Sequence, residues 1–207
     1  MSNETGAAAG AAPRPGKLFI LSGPSGSGKS TVIGRALAAA DLPIRLAVSA
    51  TTRAPRNGEI DGVHYHFWTP DRFAAAIQAG EFLEWADVYG NFYGTLRSEV
   101  DGYLAQGQSV LLEIDVQGGQ QMREKRPDAV LVFIRTSTSE EYEARLRQRR
   151  TDDEASLQRR LVSAPVELAV GQSYQHQLIN DDLDEAAAAL RSIFRREVLG
   201  GDACSTT

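Results

Sequence analysis

Near the start of the chain a lysine and two hydroxyls follow a cluster of glycines. Gly23-Pro24-Ser25-Gly26-Ser27-Gly28-Lys29-Ser30-Thr31 has the spacing of a P-loop, in which consecutive backbone N–H groups point inward and cradle a polyphosphate. Lys29 then lies against the terminal phosphates and Ser30 reaches a magnesium ion. The N-terminus of the helix that follows adds its partial positive charge. The chemistry this asks for is binding of ATP or a similar nucleoside triphosphate with Mg²⁺. Alone it leaves the reaction open, because P-loop proteins include switches, motors and kinases.

A second group of residues suits a second anion. Arg53 and Arg56 offer forked donors to phosphate oxygens and Tyr65 and Tyr93 add hydroxyl donors, although a loop with ordinary solvated arginines is the plainer reading. Glu84 stands among hydrophobes, between Leu83 and Trp85. Its carboxylate can accept two adjacent N–H donors from a base edge, a pair that guanine offers and adenine does not; burial of its stem, or a surface acid beside Trp85, is the alternative. Asp115 closes the apolar run Val110-Leu111-Leu112-Glu113-Ile114, and an acid at the carboxyl end of a buried strand near a P-loop is placed to hold magnesium with Ser30.

The elements that must position these groups alternate between strand and helix. Leu18 to Leu21 reads as a strand ahead of the glycines, and Val32, Ile33, Ala36, Leu37 and Ala40 fall at helical spacing behind them. Strands are expected at Ile44–Val48, His64–Trp68, Val110–Asp115, Ala129–Ile134 and Leu178-Ile179. Helices are expected after the Thr69-Pro70 cap, after Thr95 through Leu96, Val100 and Leu104, after Ser137 and Thr138, and from about Asp184 to Leu199. Glu81 to Gly94 reads as a polar and aromatic stretch with two glycines. The arginine-dense segments around Arg145 and Arg160 have little apolar surface, which predicts a weakly anchored pair, kinked or restarted at Pro165. This pattern argues a parallel sheet with helices on both faces.

Composition sets the bounds. The 207 residues suit one α/β domain, and 42% hydrophobic residues suffice for a core. A formal charge of −5 gives no reason to expect nucleic acid as a partner. The single cysteine, Cys204, has no partner for an intramolecular disulfide. Residues 1–16 are Ala/Gly-rich and read as a disordered extension without the basic and apolar segments of a signal peptide; 200–207 read as a polar tail. No stretch is apolar for the roughly 20 residues a membrane span needs, so a cytoplasmic protein is expected.

From about Lys17 to Val198 the chain resembles guanylate kinase. The marks are the P-loop, Ser49-Ala50-Thr51-Thr52-Arg53-Ala54-Pro55-Arg56 with Gly58-Glu59, Gly90-Asn91-Phe92-Tyr93-Gly94-Thr95, Ile114-Asp115-Val116-Gln117-Gly118 and Ile179-Asn180-Asp181-Asp182. The resemblance implies a three-layer P-loop fold over 17–199, with a small GMP-binding insertion at about 49–96 and a helical lid at about 138–168. It implies transfer of the γ-phosphate of ATP to GMP, and to dGMP, in purine nucleotide metabolism, with Mg²⁺ accompanying ATP. The catalytic set it implies is Lys29, Arg53 and the lid arginines Arg145, Arg149 and Arg160. Arg53, Arg56, Tyr65 and Tyr93 would hold the GMP phosphate with Glu59 in the same site, Ser49, Glu84, Thr95 and Glu113 would read the guanine, and Asn180 would lie near the adenine. Glu113 stands where the family often has aspartate, and Gln148-Arg149-Arg150 where it commonly has Gly-Arg-Gly. Oligomeric state is left undecided.

Overall fold

A computed structural model describes residues 15–148 and 154–200 of the chain. Five parallel strands form the central sheet: β1 (Leu18–Ser22), β2 (Ile44–Leu46), β7 (Ser109–Ile114), β8 (Val130–Arg135) and β9 (His176–Ile179), in the order β2-β7-β1-β8-β9. Their apolar residues alternate between two cores. Leu18, Ile20, Val110, Leu112, Leu131 and Phe133 face one layer, which is closed by α3 (Asp101–Ala105) and α4 (Val116–Lys125). Phe19, Leu21, Leu111, Val130, Val132 and Ile134 face the other, closed by α1 (Lys29–Leu37) and α7 (Leu183–Leu199). Burial on both sides explains why these strands read as continuous apolar runs. Sheet and two helical layers make the expected three-layer α/β fold.

Between β2 and α3 the chain builds a second, four-stranded sheet from β3 (Ala50–Thr51), β4 (His66–Phe67), β5 (Phe82–Val88) and β6 (Asn91–Leu96), in the order β4-β3-β6-β5. α2 (Pro70–Gln78) covers it, with Thr69 accepting from the Arg72 N–H as the expected cap. An aromatic core of Phe73 and Phe82, flanked by Trp68 and Phe92, holds this unit together. The Glu81–Gly94 stretch carries a hairpin. One expectation fails here: Thr95 is not a helix cap but a buried β6 residue opposite Glu84. The helix expected after it shrinks to a 3-10 turn (Arg97–Glu99) and the short α3.

The segment expected to form a lid holds α5 (Ser139–Gln148) and α6 (Glu154–Gly171). It is better anchored than its arginines suggest. Tyr142, Leu146, Leu157 and Ala164 form a small core between the two helices. α6 also runs through Pro165 without a break. That proline is exposed, so water can satisfy the carbonyl its ring leaves without a donor. Residues 1–14 of the expected N-terminal extension lie outside the described residues, as do Arg149 and Cys204. Ordered packing starts before residue 17, since the Gly16 N–H donates to the Leu104 carbonyl at 2.8 Å. Among the described residues no helix is long and apolar enough to cross a membrane.

Candidate active site

The phosphate loop lies at the carboxyl end of β1, where ligands of open α/β sheets bind. β1 delivers the glycine loop. Gly28 caps α1 at φ 87°, a left-handed conformation that glycine adopts without steric penalty. Lys29 curls back so that its ammonium donates to the carbonyls of Gly23 (2.7 Å) and Pro24 (3.0 Å). The loop is held from outside. A Cβ on Gly26 would meet Leu146 Cδ2 at 2.7 Å, so α5 rests directly on the loop, while Arg145 is bound by Glu141 and the Asp181 carbonyl. Ser25 is half-buried, Ser27 buried and Thr31 exposed on the first turn of α1.

Asn180, expected near the adenine, is buried against the loop, and its Nδ2 donates to the Ser27 carbonyl at 2.7 Å.

The two acids of β7 take opposite sides. Leu111 faces the α1 layer, so Glu113, two residues on, faces it as well. There the Ser30 hydroxyl donates to Glu113 Oε1 at 2.6 Å. Asp115 instead caps α4: Oδ1 accepts from the Gly118 N–H at 2.8 Å and Oδ2 from Gln117. Burial raises its pKa, opposed by the Gly118 N–H and by Lys29. Ser30, expected to share magnesium with Asp115, is bonded here to Glu113, the acid expected at the guanine, while Asp115 lies beside Glu84 of the insertion.

Glu84 is 3% exposed, and burial pushes its carboxyl up to about 7, against hydrogen bonds from the Thr95 hydroxyl and N–H that favour its charge. The Asp115 carboxylate raises it further. A Cβ on Gly118 would sit 2.4 Å from Glu84 Oε2 and 3.2 Å from Asp115 Oδ1. Only a glycine lets the first turn of α4 approach both acids, where its N-terminal partial charge offsets them. Ser49 completes this wall, its hydroxyl 3.5 Å from that of Thr95.

α4 also holds the strand that carries Glu84. Gln117, Gln121 and Lys125, at i, i+4 and i+8, bond to the backbone of Asp87, Trp85 and Leu83. Four helical residues and two strand residues both advance about 6 Å. One helix face can thus satisfy alternate carbonyls of the β5 edge. Neither this ladder nor α4 was visible in the sequence, where Gly118-Gly119 interrupts a segment with few apolar residues.

Arg53 lies on the far side of the insertion. Its guanidinium forks onto both oxygens of Glu59 at 2.9 Å and its Nε donates to the Tyr93 hydroxyl at 3.2 Å. Tyr65 packs edge-on against Tyr93, and burial, with the Glu113 charge behind it, raises its pKa. Glu59, expected in the GMP site, is a carboxylate held low by Arg53 and also accepts the Arg56 N–H at 2.6 Å. These bonds tie the two arginines of the loop together. The Arg56 side chain is exposed.

A cleft of about 760 Å³ opens between Tyr89, the start of α4 with Asp115, and the α6 residues Arg159, Val162 and Ser163. Among the described residues no group of three His, Cys, Asp or Glu side chains makes a protein-only metal cage. A magnesium ion bound mainly through nucleotide and water needs only one or two protein ligands. Ser30 and Glu113 fit that need.

Comparison with known proteins shows the family. A protein-family model described as guanylate kinase matches residues 15–197. The guanylate kinase of Rubrobacter xylanophilus is 47% identical over 191 residues, spanning 92% of this chain and 100% of its own length. That of Fusobacterium nucleatum subsp. nucleatum is 48% identical over 183 residues, spanning 88% and 98%. A crystal structure of guanylate kinase from Anaplasma phagocytophilum superposes with a TM-score of 0.75 at 32% identity, covering 91% of this chain and 89% of that one.

Proposed function

The chain belongs to the guanylate kinase family and transfers the γ-phosphate of ATP to GMP; we propose that dGMP serves as well, and that the residues above divide the work as follows. The glycine loop binds the ATP phosphates through its backbone N–H groups, and Lys29 leaves the loop carbonyls to bridge them. Ser30 and Glu113 hold Mg²⁺ or its waters. Bound there with ATP, the ion would neutralise phosphate charge. Across the cleft, Glu84 and Asp115 accept the N–H donors of guanine, with Ser49 and Thr95 beside them. Arg53, Arg56, Tyr65 and Tyr93 hold the acceptor phosphate, and Glu59 aims Arg53.

An acceptor phosphate with a second pKa of about 6 is already ionised at neutral pH, so no general base is needed. The task is to bring two anions into line and offset their repulsion. Arg145, Arg149 and Arg160 supply the positive charge from the lid, whose closure excludes water and suppresses hydrolysis of ATP. The reading also puts the enzyme in the cytoplasm, in keeping with its single cysteine.

The observation that carries this assignment is the buried Glu84, hydrogen-bonded by Thr95 with Asp115 beside it. An apolar contact would serve a hydrophobic ligand; two neighbouring acids suit a base edge with two N–H donors. The test is the initial rate of ADP formation from ATP and Mg²⁺ with GMP, dGMP, AMP, CMP or UMP, against a control without acceptor. Stimulation by GMP and dGMP alone is expected. Equal stimulation by AMP would overturn the role given to Glu84.

A further inference from the structure

We propose that Tyr89 is a positioning residue for Arg160, joining the tip of the base-reading hairpin to the lid. Tyr89 and Gly90 form the two-residue turn between β5 and β6, at φ 55° and 84°. Such turns need a left-handed backbone at both positions and favour Asn, Asp or Gly at the first. A tyrosine here is a strained choice. Strain of this kind persists where the surrounding contacts hold the residue in place, and it points to a use for the side chain.

The contacts are on α6. The Tyr89 hydroxyl lies 2.9 Å from Ser163 Oγ, which in turn lies 2.8 Å from Glu167 Oε1 and 3.1 Å from the Arg160 carbonyl. With Glu167 able only to accept, Ser163 donates to it and Tyr89 donates to Ser163. One turn back, at i−3 on the same helical face, the Arg160 guanidinium carbon sits 5.2 Å from the centre of the Tyr89 ring. That is within range of a cation–π attraction. The hydroxyl therefore fixes the ring, and the ring fixes the charge. Tyr89 and Ser163 both line the cleft that contains Asp115, so the attachment is made at the edge of the reaction space. Glu84 lies on the same strand as the turn, so a base seated against Glu84 and an arginine aimed from the lid share one short piece of backbone.

This inference rests on the reading of Arg160 as a lid arginine that stabilises the transferring phosphate, and the test separates the two. The full chain is compared with Tyr89→Leu, Tyr89→Phe, Arg160→Ala and the Tyr89→Leu/Arg160→Ala double variant for kcat and for KM of GMP and ATP. Melting temperature is followed for each. Arg160→Ala is expected to lower kcat on the order of 100-fold. Tyr89→Leu should lower kcat about tenfold with the GMP KM within about twofold, and Tyr89→Phe, which keeps the ring, about threefold. The double variant should be no slower than Arg160→Ala alone, because two residues acting through one interaction are not additive. A double variant slowed by the product of the single effects would overturn the proposal, since a merely structural loss behaves that way. So would wild-type kcat in Tyr89→Leu beside a slow Arg160→Ala. Wild-type kcat in Arg160→Ala would overturn the lid reading itself, and the proposal with it.

Discussion

Replacing Glu84 by glutamine should make the protein more stable and less active. The folded carboxyl titrates at about 7 against an ordinary 4.5, and each pH unit is worth about 1.4 kcal/mol. Holding the charge in the fold therefore costs about 3 kcal/mol relative to the unfolded chain. Because the folded value is the higher one, the folded chain keeps a proton that the unfolded chain has released. Stability from this group is greatest below about pH 4.5 and falls until the pH passes about 7. Glutamine has no such loss, and its Oε1 can still accept from Thr95. At pH 8 Glu84→Gln should then be more stable than wild type by about 3 kcal/mol, roughly 6–12 °C in Tm for a chain of this size. At pH 5 the gap should shrink to within about 1 kcal/mol. The same change removes the charged acceptor for a guanine N–H, which should raise the GMP KM on the order of 100-fold. The assay is thermal unfolding at both pH values beside steady-state kinetics. A Tm difference independent of pH, or a destabilised variant at pH 8, would refute the idea that a buried charge is the source of the strain.

The other expectations are more direct. Lys29→Ala should lower kcat by on the order of 100-fold or more while GMP affinity, measured by calorimetry, stays within about threefold, because the ammonium acts on the ATP phosphates; unchanged turnover would dismiss its role. Glu113→Gln should raise the Mg²⁺ concentration for half-maximal rate about tenfold or more, whereas Asp115→Asn should leave that value unchanged and raise the GMP KM. The opposite pattern would restore Asp115 as the residue beside the ion.

How far the sequence reveals this protein depends on where the information lies. The phosphate loop is written in consecutive residues, and its strand and helix are amphipathic on either side, so position and chemistry are both legible. The central strands are legible for the same reason: burial on two faces leaves a continuous apolar run. The insertion hides better. Glu84, Trp85 and Asp87 interrupt β5 with polar or exposed residues, and Gly90 and Gly94 look like breaks, although Gly94 is a β6 residue that leaves room for Phe82. Its sheet is specified by an aromatic cluster drawn from separate segments, which no local window contains. Glu59 is similar: its spacing from Arg53 gives no sign of a two-oxygen fork until the loop has folded.

The two acids of β7 are the instructive case, because the signal for them was present. Side chains along a strand alternate, and Leu111 and Leu112 face different cores. Counting from Leu111 places Glu113 toward α1 and the P-loop serine. Asp115 falls just beyond the strand, where the chain turns into α4 and the side chain becomes its cap. One β-strand thus hands its penultimate acid to the ATP side and, through the cap of the next helix, a second acid to the base side. From that cap the Gln117, Gln121 and Lys125 ladder fixes β5, β5 fixes Glu84, and the turn at its end reaches Arg160. A short path, β7 to α4 to β5, therefore joins the partner of Ser30 to Glu84, and a glycine at position 118 is what allows its closest step.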